Sequence, residues 1–292
     1  MCRYIIISPV KNEEEYIETT ITSMKNQKLQ PLKWVIVNDG STDKTKEIIE
    51  LHSKDYNRIV LLDRKNVNDK RKRGKGVVEA FYDGFELIKN LDFDFIVKLD
   101  GDLKLDTNFF EKIIDRFDND PKLGIASGVS YIQKRGKWVP ERASKGFTYG
   151  ETKVYRKRCF EEIGGIVPSM GWDGIDHIKA VMHGWKAIGF DDIIFYHLRP
   201  QGKGTGRLKA AYEEGICCYF MGYHPLFFIL RSFKIMMFYP FIIGGLAMIF
   251  SYLKCTLRKE RKINDKDFIK FLRKIQITRI LHRRSEYVFM EN

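Results

Sequence analysis

The chain has little of what a covalently stapled or metal-clipped fold requires. Its 292 residues include five cysteines, an odd number with no C-x-x-C spacing, which excludes a disulfide framework and a zinc site of ordinary ligand pattern. His52, His177, His183, His224 and His282 show no metal-ligand spacing either. The opening MCRYIIISPVKNEEE lacks an apolar stretch long enough for a secretory signal and turns acidic at once, so the bulk of the protein is expected in a reducing cytosol. Disorder is excluded as well, because 44% of the residues are hydrophobic and 13% aromatic, enough to bury a large domain with an appendage.

The charge balance is one-sided. The net charge is +13, and residues 254–292 hold 12 Lys and Arg against 5 Asp and Glu, so +7 of it lies in the tail. An anionic partner follows, with nucleic acid, membrane phospholipid and a phosphorylated substrate as the three classes.

Short apolar runs at 4–7, 34–37, 59–62 and 95–99 read as strands. Between them lie helical patterns over 13–25, over 42–52 with Ile48, Ile49 and Leu51 inward, and a third carrying Val78, Phe81, Phe85 and Ile88. Alternation of this kind predicts an α/β fold with a parallel sheet, whose ligands bind beyond the carboxyl ends of the strands. Three of those ends carry unusual polar residues: Ser8 and Pro9 with Asn12 and Glu13, then Asn38 and Asp39, then Asp100 and Asp102. Two carboxylates one residue apart at a strand end repel each other unless a cation neutralises them, and hard oxygen ligands suit Mg²⁺ or Mn²⁺.

The ordered set I-I-I-S-P-V-K-N-E-E-E, V-I-V-N-D-G-S-T-D, R-G-K-G-V-V-E-A and V-K-L-D-G-D resembles the family 2 glycosyltransferases, over roughly residues 4–200. The resemblance implies a GT-A fold, a Rossmann-like and mostly parallel sheet with helices on both faces. It implies that Asp39 contacts the nucleotide base, that Asp102 ligates the metal, and that Asp100 supports the ribose or the metal shell. Pro9, Asn12 and Glu13 stand beside Asp39, whose alternative reading is a simple Asp-Gly turn. Arg73 and Lys75, in a basic glycine-containing stretch ahead of the third helix, are expected to face the nucleotide phosphates, the alternative being a solvated loop or a nucleic-acid patch.

For the base that activates the acceptor, Asp173 falls on the second acidic position of the family's pair, and Trp172 replaces the first. Asp176 stays open as an alternative, and a helix N-cap is the plain reading of either. His197 is a candidate further metal ligand, with a structural histidine as the alternative. Lys203 and Arg207 lie in a glycine-rich basic stretch resembling a loop that closes over diphosphate, or a plain linker.

Residues 235–253 are 19 residues without a formal charge, at the lower end of a membrane span. A single crossing would put the basic tail on the far side against the positive-inside tendency, so a hairpin or in-plane arrangement is expected. Phe268, Phe271, Leu272 and Ile275 recur among lysines and arginines as a basic amphipathic helix on anionic lipid, packing as soluble core being the alternative. The expected organisation is a catalytic domain over 1–210, C-terminal membrane-associated helices in an apolar segment over 211–255, and a basic amphipathic tail over 256–292.

The expected activity is inverting, metal-dependent transfer of a sugar from a nucleotide-diphosphate sugar to a glycan or polyprenyl-linked acceptor, at the cytoplasmic face of the cell membrane, without nucleic acid. A sugar-nucleotide nucleotidyltransferase is the rival enzyme, but Ser8-Pro9-Val10-Lys11 is not its glycine- and arginine-rich phosphate loop. A basic nucleic-acid binder is the rival of another class.

Overall fold

The computed structural model describes residues 2–65, 74–141, 146–199 and 206–282. The chain divides into two compact units, Met1–Pro200 and Gln201–Glu286.

The first unit opens as a strand and helix alternation: β1 (Tyr4–Val10), α1 (Ile17–Lys25), β2 (Lys33–Asn38), α2 (Thr45–Asp55), β3 (Ile59–Asp63), α3 (Lys75–Glu86) and β4 (Phe95–Leu99). It continues through β5 (Leu103–Leu105), α4 (Phe109–Asn119), β6 (Leu123–Lys134), β7 (Lys137–Pro140), β8 (Thr152–Arg156), α5 (Lys157–Glu162), α6 (Trp172–Met182) and β9 (Lys186–His197). One sheet results, in the order β3-β2-β1-β4-β8-β6-β9-β5, with β7 on β6. Its first four strands are parallel, and β8 runs antiparallel to both neighbours, so the sheet is mixed.

Period-two side chains divide the core between the two sheet faces. Tyr4, Ile6, Trp34 and Ile36 pack with Ile17 and Ile21 of α1 and Phe110 of α4, whereas Ile5, Ile7, Val35 and Val37 pack with Val78 and Phe81 of α3. Gly84 lets α3 lie this close, since a Cβ there would stand 2.7 Å from Val37 Cγ2. In α2 the expectation for Leu51 fails: Ile49 is buried, but Leu51, two residues and about 200° further round the helix, is 60% exposed.

β1 stays paired with β2 through Val10 but leaves β4 after Ile7. Pro9, which has no N–H to donate, therefore sits where β1 has already lost one neighbour. The sheet opens there between β1 and β4, the kind of crevice in which open α/β sheets bind ligands.

The second unit holds α7 (Arg207–Phe220), α8 (Pro225–Met236), α9 (Ile243–Leu257) and α10 (Lys266–His282). Among the described residues no helix is long and apolar enough to cross a membrane. The apolar run 235–253 is divided between α8 and α9, because Pro240 and the residue before it do not continue a helix. The reading of α10 as a lipid-facing helix is corrected. Phe268, Leu272 and Ile275 are buried, and α10 is tied inward where Arg273 donates to the Gly222 carbonyl (2.9 Å) and Gln276 accepts from the His224 N–H (2.8 Å).

Back in the first unit, α6 is locked to the sheet by a charge pair that no water reaches. Lys153 on β8 donates to Asp176 Oδ1 at 2.6 Å, with both side chains fully enclosed, and to the Asp173 carbonyl at 2.6 Å. Tyr155 donates to the other Asp176 oxygen. Burial pushes the Asp176 carboxyl up to about 6, against the opposing pull of Lys153. Asp176, expected as an alternative base, is thus spent on holding a helix in place and has no open face for an acceptor. Asp176→Asn should cost roughly 3–5 kcal/mol of stability by leaving the Lys153 charge uncompensated. Lys153→Met combined with Asp176→Leu should regain most of it in chemical denaturation, and an unchanged midpoint for the single variant would count against the pair.

Candidate functional site

The open edge beyond β1, β2 and β4 gathers most of the expected residues. Asn12 takes a left-handed backbone at φ 54° and braces two loops: its N–H donates to Ser41 Oγ (2.9 Å), and its Oδ1 accepts from the Thr42 N–H (2.8 Å). Glu13 is buried, its N–H donating to Thr45 Oγ1 (2.7 Å) while its carboxylate accepts from Arg199 (2.6 Å). Asp39, at the end of β2, is buried and held by Arg64 at 2.7 Å. Arg64 reaches on to Asp83 of α3 at 2.8 Å, so Asp39 is fixed from the far side of the edge.

The turn after β4 is shaped by contact. A Cβ on Gly101 would meet Val10 Cγ1 at 2.7 Å, so the turn lies against the end of β1 only because residue 101 has no side chain. The Asp100 N–H donates to the Glu151 carbonyl (2.9 Å), and its carboxylate pairs with Lys98. Asp102 is buried.

β5 then pairs antiparallel with β9, placing Leu103 opposite His197. That pairing carries a residue from the far end of the unit to the turn: His197 Nε2 stands 3.5 Å from Asp102 Oδ2. The other ring nitrogen donates to Glu141 Oε2 at 2.8 Å, and Glu141 itself is set at the end of β7, its N–H bonded to the Ser130 carbonyl. Burial alone would lower the His197 pKa, but hydrogen bonds to Asp102 and Glu141 outweigh it and raise the imidazole to about 10. Glu141, Glu151 and His197 each offer a ligand atom, all within 4.8 Å of one another.

Arg199 was not foreseen. It follows β9, donates to the Glu13 carboxylate, stands 4.0 Å from Asp102 and lies over the Tyr16 ring at 5.0 Å. It joins the β1 end to the D-G-D turn. Glu141, Glu151, Lys98 and Arg64 were missed too, and Glu141, 56 residues before His197, carries no local signal of the pairing.

Asp173 is half-buried in the first turn of α6. The preceding Trp172 ring lies 5.3 Å from Lys98 Nζ and 5.5 Å from Lys153 Nζ, which links α6 to the strand that carries Asp100. Lys75 is the first residue of α3, exposed and 3.4 Å from Glu79. Its predecessor Gly74, at φ 58°, packs so closely on Met170 that a Cβ would fall 2.8 Å from the Met170 Cα. The amino end of α3 is thereby held beside the start of α6. Arg73 and Lys203 lie outside the described residues. Arg207 begins α7 in the second unit, with its guanidinium over the Tyr239 ring at 5.4 Å.

Comparison with known proteins adds a family to this geometry. The chain is similar to a mannosyltransferase, PcManGT of Pyrobaculum calidifontis, solved with GDP-Man and Mn²⁺ (TM-score 0.56, 14% identity, 95% of this chain and 80% of that one). It is similar also to Staphylococcus aureus TarS 1-349 in complex with UDP-GlcNAc (TM-score 0.56, 17% identity, 98% and 93% covered). At these identities the likeness concerns the fold. Poly-beta-1,6-N-acetyl-D-glucosamine synthase of Staphylococcus aureus (strain COL) is 31% identical over 124 residues, 42% of this chain. The chain spans less than half of the curated relatives first matched, 45% and 27% of their lengths. The model of Glycosyl transferase family 2 matches residues 5–171, from β1 through the D-G-D turn to the start of α6, and the chain belongs to that family.

Proposed function

We propose that the chain transfers a sugar from a nucleotide-diphosphate donor to a hydroxyl of a glycan or polyprenyl-linked acceptor, with inversion at the transferred carbon. The observation that carries the reading is the meeting of Asp39, Asp100, Asp102 and His197 at the carboxyl edge where β1 and β4 part. The printed ligands of the structural neighbours, GDP-Man and UDP-GlcNAc, support the donor class, and the named product of the synthase relative supports a glycan acceptor.

Each residue has a role that its surroundings suit. Asp39, clamped by Arg64, accepts hydrogen bonds from the base or ribose, and Asn12 and Glu13 keep its loop in place. The amino end of α3, with Lys75, offers backbone N–H groups and a positive charge to the diphosphate. Asp173 takes the proton of the acceptor hydroxyl, which then attacks the sugar from the face opposite the leaving diphosphate. One displacement inverts the centre.

The donor set fits Mg²⁺ or Mn²⁺: the Asp102 carboxylate faces His197 Nε2, and Glu141 and Glu151 stand within reach of the same ring. Asp102 and His197, with Glu141 and Glu151 near, would hold a divalent ion whose charge would offset that gathering on the leaving diphosphate. Glu141, by accepting the Nδ1 proton, fixes the orientation of the ring, and a divalent ion bound there would displace the Nε2 proton that the imidazole otherwise turns toward Asp102.

Asp102→Asn should nearly abolish transfer and Mn²⁺ binding together, read by sugar transfer with a panel of nucleotide sugars and by Mn²⁺ electron paramagnetic resonance. Full wild-type activity in excess EDTA would sink the metal assignment. Glu141→Ala should weaken Mn²⁺ binding roughly ten- to a hundredfold and lower the His197 pKa followed by ¹⁵N NMR in the metal-free protein, while Glu141→Asp recovers part of both. Asp173→Asn should slow transfer by about a hundredfold or more and leave calorimetric binding of the nucleoside diphosphate nearly unchanged. A parallel loss of that binding would remove Asp173 from the acceptor side.

A further inference from the structure

In the second unit small residues stand where α7, α8 and α9 approach most closely, around a small cluster of Cys218, Phe228 and Met248, while most of the large apolar side chains of α8 and α9 face out. Along α8, Leu226, Ile229, Leu230, Phe233 and Met237 fall at helical spacing and are all exposed, while Ser232 is buried. Along α9, Ile243, Leu246, Phe250, Leu253 and Leu257 form a second exposed stripe, and Gly244, Gly245, Met248, Ser251 and Cys255 face inward. Helix contact depends on that smallness. A Cβ on Gly245 would lie 2.7 Å from the Ser232 carbonyl oxygen, and one on Gly215 of α7 only 2.0 Å from Ser251 Oγ. The two buried hydroxyls are satisfied within their own helices, Ser232 on the Phe228 carbonyl and Ser251 on the Met248 carbonyl, each at 2.9 Å.

The turn between the helices continues the outer surface: Phe238, Tyr239, Phe241 and Ile242 are 58%, 65%, 63% and 62% exposed. A helix pair bathed in water puts its large apolar side chains inward, and a soluble monomer rarely leaves a contiguous apolar patch of this extent. Small residues between helices with large ones facing out is instead the arrangement of helices in lipid.

Length and charge say how deep such a unit goes. The 15 residues of α9 span about 22 Å, short of the roughly 30 Å of a hydrocarbon core. Directly after α9, at the end remote from the apolar turn, Arg258, Lys259, Arg261 and Lys262 are all exposed, placed to meet phosphate headgroups. Arg231 of α8 is bonded to Glu214 of α7 at 2.6 Å, so its charge is met inside the unit.

We propose that α8, α9 and the turn joining them dock the chain into one leaflet of a membrane containing anionic lipid, without crossing it. The apolar stripes and the 237–242 turn enter the leaflet, and the basic cluster beyond α9 lies among the headgroups. The α10 helix, spent on internal packing, takes no part in insertion.

The test is flotation of the full chain with vesicles of phosphatidylcholine plus phosphatidylglycerol and with vesicles of phosphatidylcholine alone. The wild type should float with both and bind the anionic set more tightly. Phe238→Ser with Phe241→Ser should weaken binding to both about tenfold or more, with an unchanged thermal melt. Arg258→Gln with Lys259→Gln should remove much of the preference for phosphatidylglycerol alone. In a separate Phe241→Trp variant, the new tryptophan should be quenched by lipid brominated in its acyl chains, a signal that a folding defect does not mimic. A wild type that stays soluble and monomeric overturns the proposal. So does one that self-associates through this face without floating, which makes the face an interface between copies, or one whose sequences on either side of α8 and α9 are cleaved from opposite sides of sealed vesicles.

Discussion

Carboxylates crowded at one sheet edge repel one another, and the first unit is organised around supplying each with a cation. Arg199 serves Glu13 and stands close to Asp102, Arg64 holds Asp39, Lys98 holds Asp100, and His197 lies between Asp102 and Glu141. Two like charges 4 Å apart in partly screened surroundings repel by roughly 4 kcal/mol, comparable to much of a domain's net stability. The cations come from β3's end, β4 and β9's end, so the edge keeps its shape only while the strands stay in register.

The same constraint explains Trp172. Lys98 and Lys153 face each other directly across β4 and β8, both buried, an arrangement unfavourable unless the charges are met. Asp100 and Asp176 meet them on two sides, and the Trp172 ring stands near both ammonium groups. Where the family resemblance places an acidic residue, this chain has an aromatic face, which attracts cations without adding another carboxylate to a crowded edge.

The two units follow opposite packing rules. In the first, Trp34, Phe81, Phe109 and Phe110 are fully enclosed between sheet and helices. In the second, serines, glycines and cysteines together with Phe228 and Met248 occupy the contacts of α7, α8 and α9, and most of the other phenylalanines and leucines of α8 and α9 face out. Composition alone cannot tell these apart, since both are rich in apolar residues; what differs is which side of each helix carries the bulk.

The sequence by itself determined the first four strands, because short apolar runs closed by polar residues locate both a strand and its end, and so placed Asp39, Asp100 and Asp102 at the carboxyl edge. It also located α1 and α2 to within about four residues of their observed bounds. Only the tertiary structure decided which distant side chains join them: the three-residue β5 pairs with β9, and that register brings His197 and Arg199 to a turn some 95 residues earlier, with Glu141 arriving on β7. Neither periodicity nor spacing carries such information, since a strand's partner is fixed by the whole sheet. The roles of Asp176 and α10 were likewise hidden, for an acid near a helix start reads alike whether it faces solvent or a buried lysine, and an amphipathic stripe reads alike against lipid or protein. What those groups touch is set by packing between segments far apart in the chain, and local pattern is blind to it.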